Sequence, residues 1–192
     1  MSRIIAGAAK GRRIETPKGD RTRPTTDRVR EALFSALASW FGTAEQPAAE
    51  HFDGVAVLDL YAGSGAIALE SASRGARRVV GVEGDAPTAR LIRGNASTTR
   101  LPVEVVAAKL PGALLQVTGR FDLVFLDPPY DVGEEQVERV LEELIAGEKL
   151  QPKALVVVER SKRSEEPRWP AAFTETWSRR YGETTLYFGA TE

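Results

Sequence analysis

Four consecutive residues, DPPY at positions 127–130, carry the side chains best suited to chemistry, and they directly follow the apolar segment 121–126. Two successive prolines fix two φ angles and remove two backbone N–H groups, so their loop is rigid and its carbonyl groups face outward. A single proline or glycine would be enough to end a strand. The segment therefore predicts a rigid loop that holds a carboxylate and an aromatic ring in fixed positions.

This tetrapeptide resembles the fourth motif of methyltransferases that act on the amino groups of nucleobases. In that motif the acidic or amide side chain and the carbonyl group of the first proline accept the two amine hydrogens, and the aromatic ring stacks on the target base. The resemblance implies that Asp127, Pro128 and Tyr130 are the catalytic residues and that Pro129 contacts the substrate.

The chemistry of a base amine explains why such residues are needed. The nitrogen lone pair is delocalised into the ring, so the amine is a poor nucleophile. Two acceptors that hold both hydrogens favour a pyramidal nitrogen and free the lone pair. Because the acceptors are fixed before the reaction, they also stabilise the positive charge that develops on nitrogen. A stacked ring adds about 1–3 kcal/mol to the binding of an unstacked base.

A second signal is the glycine-rich segment LDLYAGSGAIALE at 58–70, which follows an apolar strand and opens a helix. Glycine is needed where a turn is tight and a ligand approaches the backbone too closely for a Cβ atom. An acid that ends the next strand commonly accepts hydrogen bonds from ribose hydroxyls. NAD enzymes and S-adenosylmethionine enzymes both use this arrangement, and the DPPY loop favours the latter. The residues expected to bind the cofactor here are Asp59, Tyr61, Gly63, Gly65 and Glu83.

Continuously apolar strands that alternate with helices are expected to position these residues. Such strands indicate a parallel sheet buried on both faces, and right-handed crossovers make it doubly wound. The last two strands have only a short connection and should be antiparallel. Ligands of such sheets bind at the carboxyl ends of the strands. Strands are predicted at 55–60, 78–83, 103–107, 121–126, 154–158, 173–180 and 184–188, and helices at 26–41, 66–74, 86–96 and 134–145.

The chain as a whole resembles the RsmD family of bacterial methyltransferases, which act on the N2 amine of a guanine in 16S ribosomal RNA. The segments that carry the resemblance are RPTTDRVREALF at 23–34, LDLYAGSGAIALE, FDLVFLDPPY at 121–130 and YGETTL at 181–186. It implies S-adenosylmethionine as the cofactor, a Rossmann-like methyltransferase fold with a small N-terminal β-hairpin, and the small ribosomal subunit as partner. By carry-over, Arg23 and Thr25 lie near the cofactor and Arg28 near the substrate. One departure is that no acid or amide stands at Ala107 or Ala108 to meet the adenine ring.

The N-terminal region is strongly basic although the net charge of the chain is only -1. Residues 1–30 hold nine Lys and Arg against three acids. A basic segment on a mildly acidic body suggests an arm that binds a polyanion, and a solvated charged terminus is the alternative. We expect Lys10, Arg12 and Arg13 to hold RNA phosphates. Residues 1–22 are interpreted as a basic hairpin extension and 23–192 as the methyltransferase domain.

Composition excludes several other kinds of site. The chain has no cysteine and one histidine, which leaves no disulfide, no thiolate metal site and no histidine-rich metal site. The lack of these ligands predicts a protein without a metal. No segment is apolar enough to span a membrane, so we expect the protein to be cytoplasmic. We expect a monomer because no apolar face is left over. The rival functions are methylation of adenine N6 in DNA, an NAD-dependent oxidoreductase, and an RNA-binding factor for ribosome assembly.

Overall fold

The computed structural model describes residues 2–19 and 25–192, and these ranges contain two β-sheets, four α-helices and two short 3-10 helices, Ala48–Glu50 and Gly112–Gln116. Among the described residues, no helix is both long and apolar enough to cross a bilayer. The strands are β1 (Ser2–Arg3), β2 (Arg13–Ile14), β3 (Ala56–Leu60), β4 (Arg78–Val82), β5 (Glu104–Val106), β6 (Phe121–Leu126), β7 (Leu150–Ser161), β8 (Phe173–Tyr181) and β9 (Thr184–Thr191), and the helices are α1 (Asp27–Trp40), α2 (Ala66–Ser73), α3 (Ala86–Thr99) and α4 (Glu134–Ala146).

The main sheet has seven strands in the order β5-β4-β3-β6-β7-β9-β8. The first five in this order are parallel, and β9 is antiparallel to both of its neighbours. The predicted fold class is therefore confirmed, including the antiparallel hairpin at the end of the chain. The strand order reverses between β3 and β6, and this switch point is where a ligand is expected.

Both faces of the central strands are buried, as their continuous apolar sequence predicted. Val57 belongs to the cluster beneath α1 and α2, and its neighbour Leu58 belongs to the cluster beneath α4. Successive side chains of a strand point to opposite faces, so a strand covered on both sides must be apolar throughout. The sheet is thus a rigid frame, and the loops at its carboxyl edge are free to carry function.

Helix α1 begins beside that edge and brings the segment around Thr25 to it. The side chain of Thr26 caps the helix by accepting a hydrogen bond from the backbone N–H of Val29 at 3.3 Å. The apolar stripe that predicted the helix packs into the core, with Leu33 and Phe34 fully buried.

The N-terminal hairpin lies on the outer side of α2 and α3. The carboxylate of Glu70 accepts hydrogen bonds from the backbone N–H groups of Ile5 and Ala6, at 2.9 and 3.0 Å. Gly7, at φ +88°, passes so close to α2 that a Cβ atom would lie 1.9 Å from the carbonyl oxygen of Ser73. The hairpin therefore packs on the rest of the chain, and its treatment as a separate unit, 1–22, stays a prediction.

The most visible difference from the predicted elements is the length of β7. The apolar core of this strand, 154–158, is the part that the sequence marked. The strand extends to Leu150 at one end and to Ser161 at the other because β6 and β9 pair with it beyond the apolar stretch. The extension matters for function, since it includes Glu159 and Arg160.

Candidate active site

Acidic side chains lie at or just after the ends of four neighbouring strands, at the carboxyl edge of the sheet. Asp59 stands near the end of β3, Glu83 follows β4, Asp127 follows β6, and Glu159 lies near the end of β7. Parallel strands bring their carboxyl ends to one edge, so residues far apart in sequence meet there. We call the part of this edge at β3 and β4 the cofactor half and the part at β6 and β7 the acceptor half, after the roles that the sequence predicts for their residues.

The glycine turn between β3 and α2 forms the cofactor half. Gly63 and Gly65 have φ angles of +56° and +80°, in the left-handed region that favours glycine. A Cβ atom at Gly63 would have no atom within 4 Å, whereas one at Gly65 would lie 2.9 Å from the side chain of Ile92. Gly63 thus leaves open space above the turn, and Gly65 allows the turn to pack tightly against α3.

Two carboxylates hold this turn in place. Glu83 accepts a hydrogen bond from the N–H of Gly63 at 2.8 Å through Oε2, and one from the N–H of Asp85 at 3.0 Å through Oε1. Asp59 accepts a hydrogen bond from the N–H of Ala68 in the first turn of α2, at 3.1 Å. Burial raises the pKa of Asp59 to about 8, against the lowering effect of this hydrogen bond.

These residues fit an adenosyl cofactor. Each oxygen of Glu83 that accepts one backbone hydrogen still has a lone pair for a second donor, such as a ribose hydroxyl. The space above Gly63 admits a ligand against the backbone. Positions 107 and 108 carry alanine, so neither side chain can form a hydrogen bond with the adenine ring.

Asp127 and Glu159 share one hydroxyl group in the acceptor half. The hydroxyl of Thr25 donates to Oε2 of Glu159 at 2.7 Å and lies 3.5 Å from Oδ2 of Asp127. Burial raises the pKa of Asp127 well above its usual value, and the negative charges of Glu159 and Asp59 raise it further. Burial also raises the pKa of Glu159, to about 7. Two neighbouring carboxyl groups of this kind titrate as a pair.

A cavity of about 890 Å³ opens beside this pair. Pro128, Pro129 and Tyr130 line it together with Asp127 and Glu159. The side chain of Tyr130 is 68% exposed, which is unusual for an aromatic residue and leaves a ring face free for stacking. The cations around the cavity are Arg28, Arg160, Lys162, Arg163 and Arg180.

Some of these cations already have partners. Lys162 pairs with Glu183 at 2.7 Å, and Arg160 pairs with Glu134 at 2.8 Å while it also donates to the carbonyl oxygen of Val132. Arg28, Arg163 and Arg180 are exposed at the cavity. We call these three residues the basic rim, and their charge suits the phosphates of a nucleic acid.

The structure places the hairpin that carries Lys10, Arg12 and Arg13 away from Asp127. The guanidinium of Arg12 lies 3.4 Å from the carbonyl oxygens of Thr98 and Thr99, at the end of α3. A crossover helix runs antiparallel to the strands that it connects, so α3 ends at the opposite edge of the sheet from Asp127. Lys10 and Arg13 are exposed on the same hairpin, so their contact with phosphate stays a prediction.

Two other predicted site residues need separate mention. Arg23 lies outside the described residues. Tyr61 has a left-handed backbone, φ 59°, and its ring packs against the cluster beneath α4. Its hydroxyl is buried, and the side chain of Gln136 lies close enough to interact with it. This environment is that of a packed side chain beneath the turn, and its contact with cofactor stays a prediction.

Sequence analysis missed Glu159. A usable signal was present, because the segment VVVE at 156–159 repeats the pattern of GVE at 81–83, an acid at the end of an apolar strand. The same reasoning that selected Glu83 would have selected Glu159. Thr25 was selected as a cofactor residue. The structure places its hydroxyl beside Asp127 and Glu159, and its contact with the cofactor stays a prediction.

Comparison with known proteins identifies the family to which the chain is similar. A family model described as Conserved hypothetical protein 95 matches residues 2–190. The ribosomal RNA small subunit methyltransferase D of Haemophilus influenzae is 32% identical over 188 residues, which cover 95% of this chain and 88% of that protein. The solved structure of yhhF from Escherichia coli superposes with a TM-score of 0.82 at 29% identity, covering 99% of this chain and 97% of that one.

A more distant structure resembles the chain in fold. The 16S rRNA N2 methyltransferase RsmC of Thermus thermophilus, solved with AdoMet and guanosine, gives a TM-score of 0.66 at 23% identity. The match covers 89% of this chain and 45% of that one. At this identity the likeness concerns the fold alone.

Proposed function

The chain belongs to the ribosomal RNA small subunit methyltransferase D family, and on that premise we propose that it transfers a methyl group from S-adenosylmethionine to the N2 amine of a guanine in 16S ribosomal RNA. The observation that carries the proposal is the position of the DPPY loop. It stands at the switch point of the sheet, with Asp127 at the base of a cavity and the glycine turn on the neighbouring strand.

The acceptor half supplies the groups that an amine needs. When bound, S-adenosylmethionine supplies a methyl group on a sulfonium, which is an excellent leaving group. Asp127 and the carbonyl group of Pro128 accept the two hydrogens of the amine and orient its lone pair. Tyr130 stacks on the base, which is drawn out of its loop at least cost where the RNA is single-stranded. Positioning of this kind supplies up to about 7–11 kcal/mol of the barrier reduction.

The carboxyl pair also has a use after methyl transfer. The methylated nitrogen carries a positive charge and must lose a proton. Asp127, whose pKa is raised by burial and by Glu159, is a better proton acceptor than an ordinary aspartate, and it lies at the amine. We assign the proton to a carboxylate oxygen of Asp127.

The basic rim supports an RNA partner. Exposed cations at the mouth of the cavity hold phosphates on either side of the target nucleotide, which positions the RNA without reading its sequence. We propose that the small ribosomal subunit presents this RNA, that the N-terminal hairpin adds contacts from the opposite edge of the sheet, and that the enzyme acts as a cytoplasmic monomer.

Product analysis tests the proposal. The protein is incubated with methyl-labelled S-adenosylmethionine and small ribosomal subunits from cells that lack the enzyme, and the digested nucleosides are identified by mass spectrometry. We expect labelled N2-methylguanosine in 16S RNA. Label in N6-methyladenine, with genomic DNA as the acceptor, would contradict the proposal in favour of the DNA enzyme. No label in either acceptor would contradict methyl transfer to a base.

A further inference from the structure

We propose that Glu159 reads the target base: its carboxylate accepts the N1–H of guanine while Asp127 holds the N2 amine beside it. This inference rests on the proposed function and adds a second contact to the same base. It assigns to Glu159 the choice of guanine over purines that lack a hydrogen at N1.

The register of the sheet places the two acids side by side. Leu126 of β6 pairs with Val158 of β7, and Asp127 and Glu159 are the next residues of these parallel strands. Both acids line the same cavity. The hydroxyl of Thr25 lies 2.7 Å from one and 3.5 Å from the other, so the two carboxylates flank a single hydroxyl group.

Glu159 is buried but only partly hydrogen-bonded. The residue is 7% exposed, and its Oε2 accepts the hydrogen bond from Thr25. Its Oε1 accepts none from the described residues. A buried carboxylate is costly unless donors surround it, so a site that keeps one open acceptor in a cavity is matched to a ligand that donates.

Guanine has the edge that two adjacent acceptors require. Its N1–H and N2 amine are neighbouring donors, so one base can satisfy Glu159 and Asp127 together. Adenine has an acceptor at N1, and its lone pair would face the carboxylate of Glu159. A site built to pair with a donor strongly rejects an analogue that lacks it, because the buried group is then left without a partner. The pair therefore favours guanine and opposes adenine at the same position.

The rival role for Glu159 is purely structural, as the acceptor that holds Thr25 in place. The two roles differ in what a change at Glu159 does to different bases. If the role is structural, the substitution changes the rate on every base by the same factor. A reading role changes the ratio between a base with N1–H and a base without it.

The experiment uses guanine and 2-aminopurine, which both carry the N2 amine and differ in the hydrogen at N1 and in the O6 oxo group. Small subunits are reconstituted with either base at the methylated position, and kcat/KM is measured for wild type and Glu159→Gln. The amide of Gln keeps an oxygen for Thr25 and presents N–H groups to the N1 lone pair of 2-aminopurine. We expect wild type to prefer guanine by roughly 10- to 100-fold, the range that a hydrogen bond to a charged group provides. We expect Glu159→Gln to bring the ratio to within a few-fold of one, largely by a gain on 2-aminopurine.

The decisive quantity is the preference of wild type for guanine over 2-aminopurine divided by the same preference of Glu159→Gln. The intrinsic difference in reactivity between the two amines cancels in this quotient. Glu183→Gln is the matched control, because this acid also lines the cavity but pairs with Lys162. It should leave the preference unchanged. An equal loss on both bases in Glu159→Gln would overturn the inference and leave Glu159 a structural role.

Wild type alone provides a test that needs no folded variant. Equal rates on guanine and 2-aminopurine would overturn the inference while methylation of guanine still upheld the proposed function. No methylation of guanine by wild type would instead contradict the proposed function itself. The two failures are therefore distinguishable.

Discussion

The two halves of the carboxyl edge are built in different ways. In the cofactor half, the hydrogen-bonded pairs are Glu83 with Gly63 and Asp59 with Ala68, and all four residues lie within one strand–helix–strand unit of the chain. In the acceptor half, Thr25, Asp127 and Glu159 come from three segments, and the hydrogen bonds of Thr25 span 102 and 134 positions in sequence. The cofactor half is a local structure, and the acceptor half exists only when the whole sheet has formed.

The halves also differ in charge. The carboxylate of Glu83 receives two backbone hydrogen bonds and is partly exposed. Asp127 and Glu159 are crowded together, and burial raises the pKa of both. Glu83 is therefore held by backbone donors, whereas Asp127 and Glu159 retain electrostatic strain that would help to hold an amine and take its proton. Asp59 belongs to the cofactor half but shares this strain, because burial raises its pKa to about 8.

The largest effect should follow a change in the acceptor half alone. Asp127→Ala should reduce methyl transfer by roughly 10³-fold, because the amine loses a fixed acceptor, while the Kd for S-adenosylmethionine changes no more than a few-fold. Single-turnover kinetics and calorimetry measure the two quantities. The exposed Asp131, in the same loop, provides the control, and Asp131→Ala should retain turnover. A fully active Asp127→Ala would remove Asp127 from the mechanism.

The corresponding experiment changes a residue of the cofactor half alone. Glu83→Ala should weaken cofactor binding by about 1–3 kcal/mol, because hydrogen bonds to a charged group are lost, and the rate at saturating cofactor should stay near that of wild type. Glu104→Ala is a suitable control, since this exposed acid of β5 pairs with Arg78 instead. An unchanged Kd in Glu83→Ala would contradict the assignment of ribose contacts to Glu83.

A smaller effect should separate the two sets of cations. Arg163→Ala with Arg180→Ala should reduce the slope of log K for RNA binding against log salt by up to about one unit for each phosphate that is no longer neutralised. Arg12→Ala with Arg13→Ala tests the N-terminal hairpin in the same assay, and an equal reduction is expected if the RNA also reaches the opposite edge of the sheet. Identical slopes in wild type and the rim variant would exclude the basic rim as a phosphate-binding surface.

The smallest effect concerns stability and pH. A carboxyl group whose pKa is higher in the folded state contributes stability that is present below its unfolded pKa and is lost as pH rises through its folded pKa. With Asp59 at about 8 and Glu159 at about 7, the free energy of unfolding should fall as pH rises across neutrality. Asp127→Asn removes one charge from the cluster of Asp59, Asp127 and Glu159. The variant should be more stable than wild type by about 1 kcal/mol near pH 8. Thermal melts at several pH values test this, and coincident curves would argue against repulsion among the three acids.

The same contrast explains what could be predicted from the sequence. The positions of Gly63 and Glu83 at strand ends were predictable because a glycine turn and an acid at a strand end are local signals, and the position of Asp127 after a strand was predictable because the DPPY loop is contiguous. The pairing of Asp127 with Glu159 depends on the register between β6 and β7, which no local pattern fixes. The position of Arg12 relative to Asp127 could be predicted only once the direction of α3 was known.

A crystal structure of the protein with S-adenosylhomocysteine and guanosine would test the central claim most directly. The account predicts that the N2 amine lies within about 2.7–3.2 Å of Asp127 and of the carbonyl oxygen of Pro128, with the base stacked on Tyr130. It also predicts N1 at hydrogen-bond distance from Glu159 and the ribose of the cofactor at Glu83. A base bound elsewhere in the cavity, with its N2 amine away from Asp127, would contradict the account.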